Sequence, residues 1–234
     1  MKLLALDTAT DCCSVALWED GELQSREQRA ERGHGAHILN MIDEVLATAG
    51  WSLRSLDAIA FGRGPGAFTG LRLAASLTQG LAYAAGLPVI PVSDLRALAQ
   101  QAFLTALRPA RTLACMDARM GELYWAGFDC DGGYARAATV EAVAGPEAVI
   151  AAARQWLGRR SAAGAGSGYL AHPVLASSLS ESLQPILAQL APHAREIARL
   201  AAHDGLALAV PAEQALPVYL RDNVAIVPAL PPIS

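Results

Sequence analysis

Lysine is nearly missing from this 234-residue chain: Lys2 is the single one, and every other basic residue is arginine. A P-loop needs Gly-x-x-x-x-Gly-Lys-Ser/Thr, with the lysine reaching the β and γ phosphates, so that class of nucleotide site is excluded. Basic charge is also scarce, with 18 basic against 22 acidic residues and a net charge of −4. The arginines are scattered and form no stripe to neutralise a nucleic-acid backbone, so the chain does not read RNA alone. The densest basic point, Arg159-Arg160, reads as two solvated arginines after a helix ending at Gly158. The four cysteines form no Cys-x-x-Cys pair, and the vicinal Cys12 and Cys13 are badly placed for a disulfide, which predicts reduced core thiols rather than bridges or metal ligands. No stretch of about eighteen apolar residues escapes Gly, Pro or charge, and Asp7 and Asp11 break the opening apolar run, so neither a membrane span nor a leader is expected and the cytoplasm is the default. Five histidines include no His-Glu-x-x-His, and no Ser-His-Asp arrangement can be placed.

What the chain does have is glycine at one joint. Residues 62–72 read Gly-Arg-Gly-Pro-Gly-Ala-Phe-Thr-Gly-Leu-Arg, between an apolar strand (Leu56 to Phe61) and a small-residue helix (Leu71 to Ala85). Glycines there allow positive φ and close backbone approach, and a helix start offers unpaired N–H groups that suit an anion. The same glycines equally serve a tight turn that lets the helix pack close to a sheet. Gly62, Gly64 and Ala67 also fit the dinucleotide pattern Gly-x-Gly-x-x-Ala, with Asp94 after the next apolar run, but Pro65 removes an amide donor and Asp94 comes late for a ribose acid. A second motif opens the chain, where Leu3 to Leu6 is an apolar strand ending in Asp7, Thr8 and Thr10, followed by a hairpin strand Ser14 to Trp18 and the turn Glu19-Asp20-Gly21-Glu22. An acid at the end of a first strand, with hydroxyls after it, is the arrangement that holds a metal-bound phosphate in actin and sugar kinases; by composition alone it is equally a turn acid.

Together, Leu-Ala-Leu-Asp-Thr-Ala-Thr at residues 4–10 and the 62–72 segment resemble the TsaB family of bacterial tRNA threonylcarbamoyladenosine biosynthesis proteins. The likeness covers roughly the first hundred residues strongly; beyond them, only Pro217-Val218-Tyr219-Leu220-Arg221 is similar. It implies an α/β, actin-like (ribonuclease H-like) duplicated fold of two related domains, with mixed sheets flanked by helices. It implies a supporting role beside TsaD, the catalytic paralogue, in forming N6-threonylcarbamoyladenosine at position 37 of tRNAs. It further implies a TsaE-like ATPase in the same complex, ATP and a metal ion at the level of the complex, tRNA contact only through the complex, and a homodimer when the partner is absent. Any nucleotide contact by this chain itself would fall on Asp7, Thr8, Gly64, Pro65 and Gly66. No catalytic residue and no metal ligand is assigned, although the paralogue binds metal through histidines on the corresponding domain, where His34 and His37 lie here.

The chain divides near 106–111, giving a first subdomain 1–107, a second 108–192, a C-terminal helix and tail 193–221 expected to pack back on the first, and a flexible 222–234 with three prolines. The second half repeats the first in order: a strand pair (111–116, 122–128), a helix opened by Pro146, and a strand from Ser161 into Gly164-Ala165-Gly166-Ser167-Gly168. That glycine run is either the adenosine-side turn of an actin-like protein or a flexible loop. Helices are expected over 93–107, capped by Ser93, and over 193–209. Ile38, Ile42, Val45, Leu46 and Ala49 form one apolar stripe, which Leu39 and Met41 widen, and small residues dominate 74–85, so a second buried surface is expected on these two helices. From the resemblance, His37, Met41, Val45, Leu71, Ala75, Thr78 and Gly80 are its partner-facing residues. The competing readings are a stand-alone ATP-dependent transferase of the same fold and a Rossmann-type nucleotide-binding enzyme.

Overall fold

A computed structural model of the chain describes residues 1–29 and 34–221. The first strands, β1 (Lys2–Asp7), β2 (Cys12–Glu19) and β3 (Glu22–Arg29), form an antiparallel meander. The β2–β3 loop is two residues, Asp20 (φ 47°) and Gly21 (φ 102°), the Asp-Gly pair whose left-handed backbone matches the twist of a tight hairpin. After α1 (His34–Ala49), β4 (Ala58–Gly62) returns parallel to β1, α2 (Phe68–Ala85) crosses over, and β5 (Val89–Val92) pairs parallel with β4. Gly86, at φ 68°, closes α2 in the left-handed conformation. The sheet order is β3-β2-β1-β4-β5.

The second half repeats the plan after α3 (Asp94–Phe103). Strands β6 (Arg111–Arg119), β7 (Glu122–Asp131) and β8 (Tyr134–Ala137) form the meander, and β9 (Ala142–Ala144) also pairs with β7. Helix α4 (Pro146–Leu157), β10 (Ala162–Ala165), the short α5 (Gly168–Ala171) and α6 (Val174–Ser178), and β11 (Leu183–Leu187) follow. Read as β8-β7-β6-β10-β11, the order and the parallel and antiparallel pairings equal those of the first sheet. This duplicated five-strand plan is the actin-like fold.

The helices that follow each sheet are exchanged. Helix α3 lies on β6, β7 and β8, and α7 (Ala194–Asp204) lies on β1, β2 and β4. They form a middle layer between the sheets, whose core runs without a break from Leu3, Ala5 and Ile90 through Leu95, Leu98, Ile197 and Leu200 to Met116 and Phe128. The chain division at 107 therefore separates the strands but not the helices. Arg96 joins the two helices, with NH1 and NH2 donating to Asp204 Oδ2 (2.5 Å) and Oδ1 (2.9 Å) and Nε to Ala135 O (2.7 Å). Helices α1 and α2 cover the outer face of the first sheet, and α4 to α6 that of the second.

Element ends differ from the sequence expectation where side chains compete with the backbone. Ser93 does cap α3, accepting from Arg96 N at 3.1 Å, but the helix stops at Phe103 because Thr105 turns its hydroxyl to Ala102 O (2.8 Å). Helix α7 ends at Asp204, five residues before the expected 209, where Gly205 takes φ 69°. The segment 222–234 lies outside the described residues. Among the described residues, no helix is long and apolar enough to cross a membrane.

Candidate functional site

Asp7 ends β1 fully buried, and the turn after it is stitched to the start of α2. Ala9 N donates to Asp7 Oδ1 (2.7 Å), Thr8 Oγ1 donates to Gly70 O (2.6 Å), and Ala67 N donates to Ala9 O (2.8 Å). Two loop glycines exist for this contact. A Cβ on Gly66 would stand 2.6 Å from Ala9 O, and one on Gly70 would sit inside the Thr8 carbonyl. Gly64 is at φ 108°, with Val218 O at 2.7 Å from its absent Cβ.

Three of the loop's amides are held by the chain itself. Arg63 N donates to Val92 O (2.8 Å), Gly64 N to Asp94 Oδ2 (2.5 Å) and Ala67 N to Ala9 O, while Pro65, cis after Gly64, has no N–H. Gly64 thus spends its amide inside the protein, and Gly66 is packed against Ala9 as a tight turn between strand and helix requires. Asp94 does not reach toward a ribose either: it is fully buried at the start of α3 and packs beside Gly62 with Asp7. Burial pushes Asp7 up to about 6, against the amides that stabilise its charge. Burial, then the charge of Asp7, pushes Asp94 well above the ordinary carboxylate range. Asp7 Oδ2 and Asp94 Oδ1 have no other partner, so a proton on Asp94 shared with Asp7 is the arrangement that leaves neither oxygen bare. Both carboxyls are fully enclosed by the protein.

The second glycine run is likewise filled by the protein. Gly164 lies against the Tyr169 ring and Ile186, and Gly168 against Cys115 and Leu123; Tyr169 OH donates to Leu113 O at 3.0 Å. Burial pushes the Cys115 thiol up to about 12, so it behaves as an inert core group. Sequence reading passed over Asp117, which stands near the end of β6 as Asp7 stands at the end of β1. It accepts from Arg119 N (2.8 Å) and Arg119 NH1 (3.0 Å), and its own amide donates to Ser167 Oγ (3.1 Å). The signal was the repeat itself: an acid closing the first strand of each half.

The helix residues expected to face a partner divide sharply. Met41, Val45, Leu71, Ala75 and Thr78 are buried within the chain itself, Met41, Val45 and Ala75 in the core that α1 and α2 form over the first sheet. Of that set only His37, half-buried, and Gly80, exposed with open space where a Cβ would stand, lie at the surface. The free faces present Leu39, Asn40, Asp43 and Glu44 on α1 and Arg72, Ser76, Tyr83 and Ala84 on α2. The side chain of His34 lies outside the described residues, and among those described no three His, Cys, Asp or Glu groups converge on a metal position. Two open grooves flank α2, one of about 650 Å³ between Tyr83 and Val210 and one of about 460 Å³ between Arg72 and Tyr219, and neither is lined by Asp7 or Asp94.

Residues 26–229 match the family described as TsaD: tRNA N6-adenosine threonylcarbamoyltransferase. Among curated proteins, the Escherichia coli (strain K12) tRNA threonylcarbamoyladenosine biosynthesis protein TsaB is 42% identical over 228 residues, 96% of each chain. The Haemophilus influenzae protein of the same name is 52% identical over 125 residues, 53% of this chain and 52% of that one. Among solved structures, a Pseudomonas aeruginosa protein described as similar to peptidase YEAZ superposes with a TM-score of 0.79 at 42% identity, covering 94% of this chain and 99% of that one.

Proposed function

The chain belongs to the TsaB family of tRNA threonylcarbamoyladenosine biosynthesis proteins, and from that premise we propose that it is the non-catalytic scaffold subunit of the complex that forms N6-threonylcarbamoyladenosine at position 37 of tRNAs. One observation carries the non-catalytic part. At the two places where an actin-like protein would grip a nucleotide, the Arg63, Gly64 and Ala67 amides are bound to the chain's own acceptors, and the space beside Gly164 and Gly168 is filled by Tyr169, Ile186, Cys115 and Leu123, which supports this reading. ATP and a metal ion then belong to the complex rather than to this subunit. The partners are a TsaD-like catalytic paralogue, a TsaE-like ATPase and, through them, tRNA; without them the chain pairs with itself. The net charge of −4 agrees with tRNA being held mainly by another subunit. The setting is cytoplasmic. The outward faces of α1 and α2 are the surface we assign to the paralogue and to self-pairing.

The test is reconstitution. The purified chain alone is expected neither to turn over ATP nor to modify tRNA, and leaving it out of a mixture with the paralogue, the ATPase, ATP and tRNA should abolish modification. ATP turnover by the pure chain, lost on Asp7→Ala, would instead establish the stand-alone transferase.

A further inference from the structure

After α7 the chain runs back over the first half as a strap, and its fastenings change character along its length. Val210 exchanges both backbone hydrogen bonds with Val89 (2.9 and 2.8 Å), Ala215 O accepts from Gln79 Nε2 (3.2 Å), and Ala212 and Ala215 are buried against α2. Up to Ala215 the strap is anchored by these contacts, with Leu206 and Leu208 left exposed. Beyond it the strap surfaces, with Leu216 60% and Tyr219 42% exposed, and is held by separate contacts. Val218 N donates to Arg63 O (2.7 Å); Tyr219 lays its ring 5.3 Å from that of Phe68 and accepts from Arg72 Nε (3.1 Å). Arg221 reaches across to the other half, pairing with the Glu122 carboxylate and Arg119 O on the β6–β7 hairpin.

We propose that residues 216–221 form a clasp that holds the glycine loop in its closed form and ties it to the β6–β7 hairpin, so that loop and hairpin loosen together when the clasp releases. Gly64 is the imprint of this contact. Its positive φ and missing side chain make room for the strap carbonyl of Val218, so the residue that looks most like part of an anion site serves the chain's own closure. The loop is also reached from the second half, where Glu141 accepts from Arg63 NH2 with both oxygens at 3.2 Å. Arg63 and Arg221 thus each tie the first half to the second, one from the loop and one from the strap. The buried part of the strap up to Ala215 supplies the hinge that keeps a released clasp close to its seat.

Hydrogen-exchange mass spectrometry on the whole chain tests this, comparing the wild type with Arg221→Ala, Tyr219→Ala and the reversed pair Arg221→Glu with Glu122→Arg. Both single variants should exchange at least tenfold faster in peptides covering 216–221, 63–70 and 117–124, with α1 and β10 unchanged, and the reversed pair should restore protection. Three outcomes overturn the clasp. Faster exchange confined to 216–221 would mean that the first half alone holds the loop, and wild-type exchange in both single variants would mean that these side chains fasten nothing. Loss of protection throughout the first sheet would make the strap a part of the core rather than a separable device.

Discussion

Asp94 receives the Gly64 amide on one oxygen and turns the other toward Asp7, and that geometry decides how the protein responds to pH. Both folded-state values lie above the ordinary carboxylate range, so the native state binds more protons than the unfolded chain as these groups titrate. Their contribution to stability is full below about pH 4 and is lost as pH rises through about 6, where Asp7 ionises, and through the raised value of Asp94. Each proton is worth up to about 1.4 kcal/mol per pH unit across that window. Asn at 94 keeps an acceptor for Gly64 N and a donor for Asp7 but cannot ionise. Asp94→Asn should therefore melt with a flatter pH profile than the wild type between pH 5 and 8, and should gain on it at pH 8. Parallel profiles would show that the pair holds no shared proton. Asp7 was legible in the sequence as an acid closing an apolar strand, yet its partner was not. Asp94 stands 87 residues later and could be read only for its place after a strand, because pairing across a sheet is invisible to local pattern. Asp117 needed the alignment of the two halves, since its neighbours Met116 and Ala118 stand where the first half has Leu6 and Thr8.

Among the elements, α2 shows what periodicity can and cannot reveal. Its small residues were plain in the sequence, and two opposite reasons for them are plain only in the fold. Gly70 is pressed against the Thr8 carbonyl, whereas Gly80 faces open space in the same helix. Gly70→Ala should cost about 1–3 kcal/mol through overpacking, and Gly80→Ala should gain about 0.5–1 kcal/mol by restricting the unfolded chain. Denaturant midpoints of the two variants should move in opposite directions, and a shift of like sign would mean that the contact at Gly70 yields without cost. The breadth of the apolar stripe on α1 has two sources. Met41 is buried in the chain's own core, whereas Leu39 is 44% exposed on the free face. Helix starts with caps, such as Ser93, were legible; ends set by Thr105 or Gly205 competed with apolar patterns that ran on past them.

At the scale of the whole molecule, exchange of α3 and α7 gives the two halves one core, so the surface left for assembly is whatever the outer helices do not spend on their own sheet. The duplicated order was legible from motif succession, but the exchange was not, since it depends on which sheet a helix meets rather than on the helix itself. It also sharpens the assembly test. Ala75 is 4% exposed, packed in the chain's own core at the floor of the groove beside Leu216, so a charged residue there disturbs the fold as well as any partner. Gly80 and Tyr83, the latter 84% exposed, point outward on α2 and leave the fold intact when changed. If this face carries both self-pairing and pairing with a TsaD-like paralogue, the two associations exclude each other. A charge buried without a partner in such a contact costs about 3–5 kcal/mol. Gly80→Arg and Tyr83→Glu should then each weaken both associations by at least a hundredfold while circular dichroism and melting stay those of the wild type. Size-exclusion with light scattering, run on the chain alone and mixed with the paralogue, reads both at once. Folded variants that keep full self-association and full partner binding would remove α2 from the interface and leave it a helix that serves only its own sheet.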